Sequence, residues 1–136
     1  MKQVLPVRVK ARVVTGAGRG KKLGLPTINF DPLTVKDLRG GIYVCKVFFP
    51  SSLAYWGVLH FGPRPTFRED DISCEAYLLD FNASLSIPSK LEIEIYSYIR
   101  KVMGFKNPQE MVLEINRDIA IARAKIASYV KKGISS

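Results

Sequence analysis

Between Gly16 and Asn29 the chain reads Gly-Ala-Gly-Arg-Gly-Lys-Lys-Leu-Gly-Leu-Pro-Thr-Ile-Asn, which places four glycines, three cations and a Pro-Thr-x-Asn within fourteen residues. That mixture builds no core, and it suits a segment that holds a phosphate. Gly16, Gly18, Gly20 and Gly24 let the backbone pass through positive φ and aim N–H groups at an anion, while Arg19, Lys21 and Lys22 bring charge around the same turn. Thr27 and Asn29 stand two residues apart, so an extended backbone puts both on one side, where their neutral oxygens suit a hard cation such as Mg²⁺. Two common phosphate motifs are excluded. The stretch lacks the Gly-Lys-Ser/Thr ending of a Walker loop, and Gly16-x-Gly18-x-Gly20 has the wrong spacing for the dinucleotide fingerprint.

Glu75 is the second chemical candidate. Strand alternation would set it on one face with Ser73, Tyr77, Leu79 and Phe81, a carboxylate among largely apolar neighbours. On the residues alone, an edge position reaching water or a lysine accounts for it. Asp80 falls on the opposite face and reads as a strand-end or turn residue before Asn82-Ala83-Ser84. Arg64 lies between Pro63 and Pro65, which stiffen the turn and leave two readings, a guanidinium held toward substrate or one that orders the loop. His60, the single histidine, sits in an aromatic run and reads as a packed, hydrogen-bonded side chain.

Strands must position these residues. Val7, Val9, Ala11 and Val13 alternate with Arg8, Lys10 and Arg12 and lead into the glycine segment. Ile42 to Phe49 and Ala54 to Phe61 flank Pro50-Ser51-Ser52 as a hairpin, and Ser73 to Phe81 and Leu91 to Ile99 follow. Five or six short strands without intervening helices predict a small antiparallel barrel. From Asn107 the period changes. Asn107-Pro108-Gln109-Glu110 carries an N-cap, a first-turn proline and an acid, and Met111, Ile115, Ile119, Ala122, Ile126 and Val130 recur every three or four residues. This predicts one amphipathic helix over about residues 108–131, roughly 35 Å long at the helical rise, and a small barrel gives it an end to cover as a lid.

Residues 1–136 form one domain, 47% hydrophobic, without repeats, linkers or low-complexity runs beyond a short polar tail. Cys45 and Cys74 lie in apolar strands and read as buried free thiols of a reducing cytosol. No signal-like or membrane-length apolar run appears, so a soluble cytoplasmic protein is expected. The formal charge of +9 is spread along the chain, which favours a field attracting small anions such as a nucleoside triphosphate over a nucleic-acid stripe.

The order Gly16-x-Gly18-Arg19-Gly20-x-x-Leu23-Gly24-Leu25-Pro26-Thr27-Ile28-Asn29 resembles the signature of the riboflavin kinases. Two further segments resemble the family in order, Gly57-Val58-Leu59-His60-Phe61-Gly62-Pro63-Arg64-Pro65-Thr66-Phe67 and Cys74-Glu75-Ala76-Tyr77-Leu78-Leu79-Asp80-Phe81. The resemblance runs from about Val7 to Ala127. It implies a closed antiparallel six-stranded β-barrel with one long C-terminal α-helix. It also implies transfer of the γ-phosphate of ATP to the ribityl 5′-hydroxyl of riboflavin, giving FMN and ADP. On that pattern Gly16, Gly18, Arg19, Gly20, Lys22, Gly24, Pro26 and Thr27 bind nucleotide, Thr27 and Asn29 hold Mg²⁺, and Glu75 is the catalytic acid–base residue. Ile99 to Phe105 resembles the segment that closes over the flavin, so Arg100, Met103 and Phe105, with Arg64, fall on the flavin side.

The chain departs from the family at His60, commonly Asn, at Ser84 to Pro88, and at Val102, where an acid is usual. It lacks the nucleotidyltransferase domain of bifunctional FAD synthetases, so a monomeric stand-alone kinase and an excised module both fit. Two other classes remain open at this point. One is a flavin- or nucleotide-binding module without turnover. The other is a basic barrel that stacks single-stranded nucleic acid on Tyr43, Phe48, Tyr55, Trp56 and Phe61.

Overall fold

A computed structural model describes residues 4–14, 26–64, 69–82 and 84–133, with backbone alone at residues 64 and 69–71. Six strands form one sheet, β1 (Val7–Arg12), β2 (Thr27–Phe30), β3 (Gly41–Phe48), β4 (Ala54–Arg64), β5 (Glu69–Leu78) and β6 (Lys90–Arg100). Every pairing is antiparallel, in the order β1-β6-β3-β4-β5-β2. The two edges then meet. Val13 bridges Phe30, Val14 N–H donates to Asn29 O at 2.9 Å, and Asp31 N–H donates to Arg12 O at 2.8 Å, closing the sheet into a barrel. Between β2 and β3 the chain makes a short 3₁₀ turn, Pro32–Val35, capped by the Asp31 carboxylate, which accepts from Leu33 N–H.

Alternation fills the inside. Ala11, Ile28, Phe30, Tyr43, Cys45, Val47, Leu59, Phe61, Cys74, Ala76, Leu78, Leu91, Ile93 and Ile95 form one buried cluster contributed by all six strands. The barrel interior is therefore a packed core. Cys45 and Cys74 are free thiols within it, and burial pushes the Cys45 thiol far up from its ordinary value. At Gly57 a Cβ would meet the Tyr77 carbonyl oxygen at 2.6 Å, so only glycine lets β4 lie this close to β5.

The helix α1 (Pro108–Lys131) begins at the predicted cap, where the Asn107 side chain accepts from Glu110 N–H at 2.9 Å and Glu110 reaches back to Lys106 N–H at 3.2 Å. It does not cover an end of the barrel. It lies along the outer flank across β3, β4 and β6, where Met111, Ile115 and Ala122 pack with Ile42, Val44, Val58 and Tyr77. The physical reason is in β3. Alternate residues of β3 fill the interior, while Ile42 and Val44 on its outer face are buried in a second cluster with the helix. The stripe also ends differently from the expected one. Tyr129, three residues after Ile126, enters the cluster and stacks on Tyr96 beside Trp56, whereas Val130 is exposed.

Candidate active site

Three strands carry candidate residues to the outer face of the barrel. Because Ile28 and Phe30 of β2, Cys74 and Ala76 of β5, and Leu59 and Phe61 of β4 point inward, the intervening Thr27, Asn29, Glu75, Tyr77 and His60 point outward. Register then aligns them. Asn29 lies opposite Glu75, Glu75 opposite His60, His60 opposite Ile42, and Ile42 opposite Arg100. Directly opposed residues hold their Cβ atoms about 4.5–5.5 Å apart, so the metal candidate Asn29 and the carboxylate Glu75 are immediate neighbours. Arg100 ends the same row.

Glu75 is 1% exposed, a carboxyl group enclosed on the outside of the barrel rather than an edge residue in water. Thr27 lies opposite Tyr77, whose ring packs under the helix. The Pro26 carbonyl accepts from Leu78 N–H at 2.9 Å and carries the β2–β5 ladder one step beyond Thr27. His60 is packed and hydrogen-bonded as expected, with Nε2–H donating to the Pro63 carbonyl at 3.1 Å. That bond holds the end of β4 where Gly62 has φ 139° and the register with β5 shifts before Arg64.

The shared face predicted for β5 breaks after Tyr77. The strand ends at Leu78, Asp80 takes φ 55°, and Phe81 swings back to pack with Phe49 and Tyr55 at the barrel end. Asp80 is consequently a turn residue beyond the strand, exposed and paired with Arg123 at 3.2 Å, which holds its carboxyl below the usual range.

Gly16, Gly18, Arg19, Gly20, Lys22 and Gly24 lie outside the described residues, as does the Arg64 side chain. What the structure places is the frame around the glycine segment, with Val14 on one side and Pro26 on the other, both hydrogen-bonded into the barrel. Met103 is exposed, and Phe105 packs against the outer cluster with its ring centroid 5.9 Å from the Arg100 guanidinium.

Sequence reasoning passed over Asp118. It is 2% exposed and takes both Arg100 Nε–H, at 2.9 Å, and Arg100 Nη2–H, at 2.7 Å. Burial raises its carboxyl pKa against the opposing pull of Arg100. The signal was available, because an acid at position 118 interrupts an apolar stripe running through Ile115 and Ala122.

The aromatics that could have stacked bases are largely occupied elsewhere. Tyr43, Tyr55 and Phe61 join the interior cluster, Trp56 lies under the helix, and Phe48 is covered by the Arg8 guanidinium at 3.9 Å. No helix among the described residues is long and apolar enough to cross a membrane.

A closed antiparallel barrel with its polar row on the outside and one flanking helix defines the class. The chain belongs to the riboflavin kinase family, whose flavokinase profile matches residues 4–126. It is 28% identical over 127 residues to the riboflavin kinase of Homo sapiens, spanning 90% of this chain and 82% of that protein. It is 32% identical over 115 residues to the trifunctional protein RibF/MnmA of Mycoplasmoides gallisepticum, 83% of this chain but 17% of that one. The chain thus spans a minor part of some curated relatives. Among solved structures, the riboflavin kinase of Trypanosoma brucei superposes with a TM-score of 0.61 at 18% identity, covering 98% of this chain and 94% of that one, a likeness of fold.

Proposed function

We propose that this chain is a single riboflavin kinase domain, transferring the γ-phosphate of ATP to the 5′-hydroxyl of riboflavin and acting as a monomer. The observation that carries the reading is the register of Asn29 against a buried Glu75, which sets an oxygen donor beside a carboxylate at the end of the Pro-Thr-x-Asn motif. The family match supports it.

In this reading the Glu75 carboxylate orients the ribityl hydroxyl and accepts its proton as the new O–P bond forms and the bond to the leaving oxygen of ADP breaks. Enclosure keeps bulk water from competing for that proton. Thr27 and Asn29 offer neutral oxygens on one outer face of β2, a donor set that fits Mg²⁺, and they are the residues that would hold it. When bound, that ion supplies charge neutralisation over the phosphate oxygens. Gly16, Gly18, Arg19, Gly20, Lys22 and Gly24 supply the nucleotide side with backbone amides and cations, Pro26 anchors the end of that segment on the barrel, and Arg64, Arg100, Met103 and Phe105 border the flavin side.

The test is chromatographic. Purified protein with riboflavin, ATP and Mg²⁺ should yield FMN and ADP in equal amounts. ADP without FMN, or neither product with any triphosphate and divalent metal, would refute the assignment.

A further inference from the structure

Arg100 ends the row that begins at Asn29, yet its guanidinium does not extend from the barrel. It turns onto the helix. Nε–H and Nη2–H fork onto the two oxygens of Asp118 at 2.9 and 2.7 Å, and Nη1–H donates to the Lys101 carbonyl at 3.0 Å. A second carboxylate, Glu114, stands 3.9 Å from Nε. The half-buried Arg100 side chain therefore joins the last residue of β6, the first carbonyl of the irregular segment 101–107, and the middle of α1. The segment runs on from this knot. The Val102 methyl group comes within 3.1 Å of where a Cβ would stand on Gly62, and Phe105 packs beside the guanidinium. Gly62 lies two residues along β4 from His60, the neighbour of Glu75.

We infer that Asp118 is a positioning residue, which through Arg100 fixes where segment 101–107 crosses the end of β4 and so sets the flavin-side wall facing Glu75. The inference rests on the kinase reading for its flavin half and on geometry alone for its clamp half. A planar fork on a carboxylate admits one orientation, unlike a lysine's rotating ammonium. Enclosure at 2% exposure keeps water from replacing it. Displacement of such a wall by about 1 Å is enough to change rate or affinity by up to about 10²-fold. A purely structural ion pair would not act selectively on one substrate.

The experiment uses two readouts on the whole chain. Lys101 and Lys106 flank the segment as trypsin sites. Asp118→Asn should be cut there at least several-fold faster than the parent protein under native conditions, and Asp118→Glu should recover part of the protection. In steady-state assays Asp118→Asn should raise the KM for riboflavin about tenfold or more while the KM for ATP stays within about twofold. Should Asp118→Asn fail to fold, Arg100→Lys keeps the charge and removes the fork, and carries the same expectations. Unchanged cleavage at both lysines overturns the clamp. Faster cleavage with both KM values raised alike leaves a stabilising ion pair and overturns the positioning role. Failure of the parent protein to make FMN overturns the flavin half together with the kinase assignment, while the cleavage comparison still decides the clamp.

Discussion

Two halves of the same outer barrel surface have been put to opposite uses. Across β2, β5 and β4 the outward row is polar, with Asn29, Glu75 and His60 in register. Across β3, β4 and β6 the outward residues Ile42, Val44, Val58, Trp56 and Tyr96 are apolar or aromatic and pack with α1. Tyr77, two residues from Glu75 on one strand, belongs to the second set. The barrel interior is spent on packing, so chemistry has only the outside available, and the helix decides how much of that outside is left. A lid across the barrel end would have left the apolar outer face of β3 in water.

The sharpest way to break this contrast is at Glu75. Glu75→Gln should lower kcat by about 10²- to 10⁴-fold with the KM for ATP and the melting temperature nearly unchanged, as expected for loss of a general base. Equal turnover in the variant would return the row to a structural role. On the helix side the effects should invert. Ile115→Ala opens a cavity in the outer cluster and should cost about 2–4 kcal/mol of unfolding free energy, read from denaturant midpoints, while kcat per folded molecule stays constant. A smaller effect sharpens the boundary. Lys46, 3% exposed between the Trp56 and Phe48 rings, has its pKa lowered from 10.5 chiefly by burial. Between that lowered value and 10.5 the unfolded chain binds more protons than the folded one, so stability from this group rises with pH across the window. Lys46→Met should flatten that rise in midpoints measured from pH 7 to 10.5, and a slope identical to the parent's would assign the pH dependence to other groups.

Much of this arrangement is legible in the residues. Alternation in Val7–Arg12 and in Leu91–Ile95 marks the strands, and the Asn107-Pro108 start of the helix is recovered to the residue. Thr27 and Asn29 share a face because a strand has period two. The enclosure of Glu75 is not legible, because it depends on β2 and β4 flanking β5, a pairing between residues far apart in the chain. The same holds for the helix, whose stripe shows that it packs but not on which surface. Phe81 misleads because the positive φ at Asp80 ends the strand's period without a glycine to announce it. Arg100 shows its charge in the sequence and hides its partner eighteen residues on.

The closure of the barrel at Val13 and Phe30 has a bearing on how the molecule breathes. Five strand pairs are joined by ladders, whereas β1 and β2 meet at one bridge with two flanking hydrogen bonds. Local opening follows the fewest bonds, so amide exchange should begin at Val14 and Asp31 before it reaches β3. The glycine-rich stretch issues from that same joint. A nucleotide gripped there would act as a suture across it, and exchange at those two amides would report occupancy from inside the backbone itself.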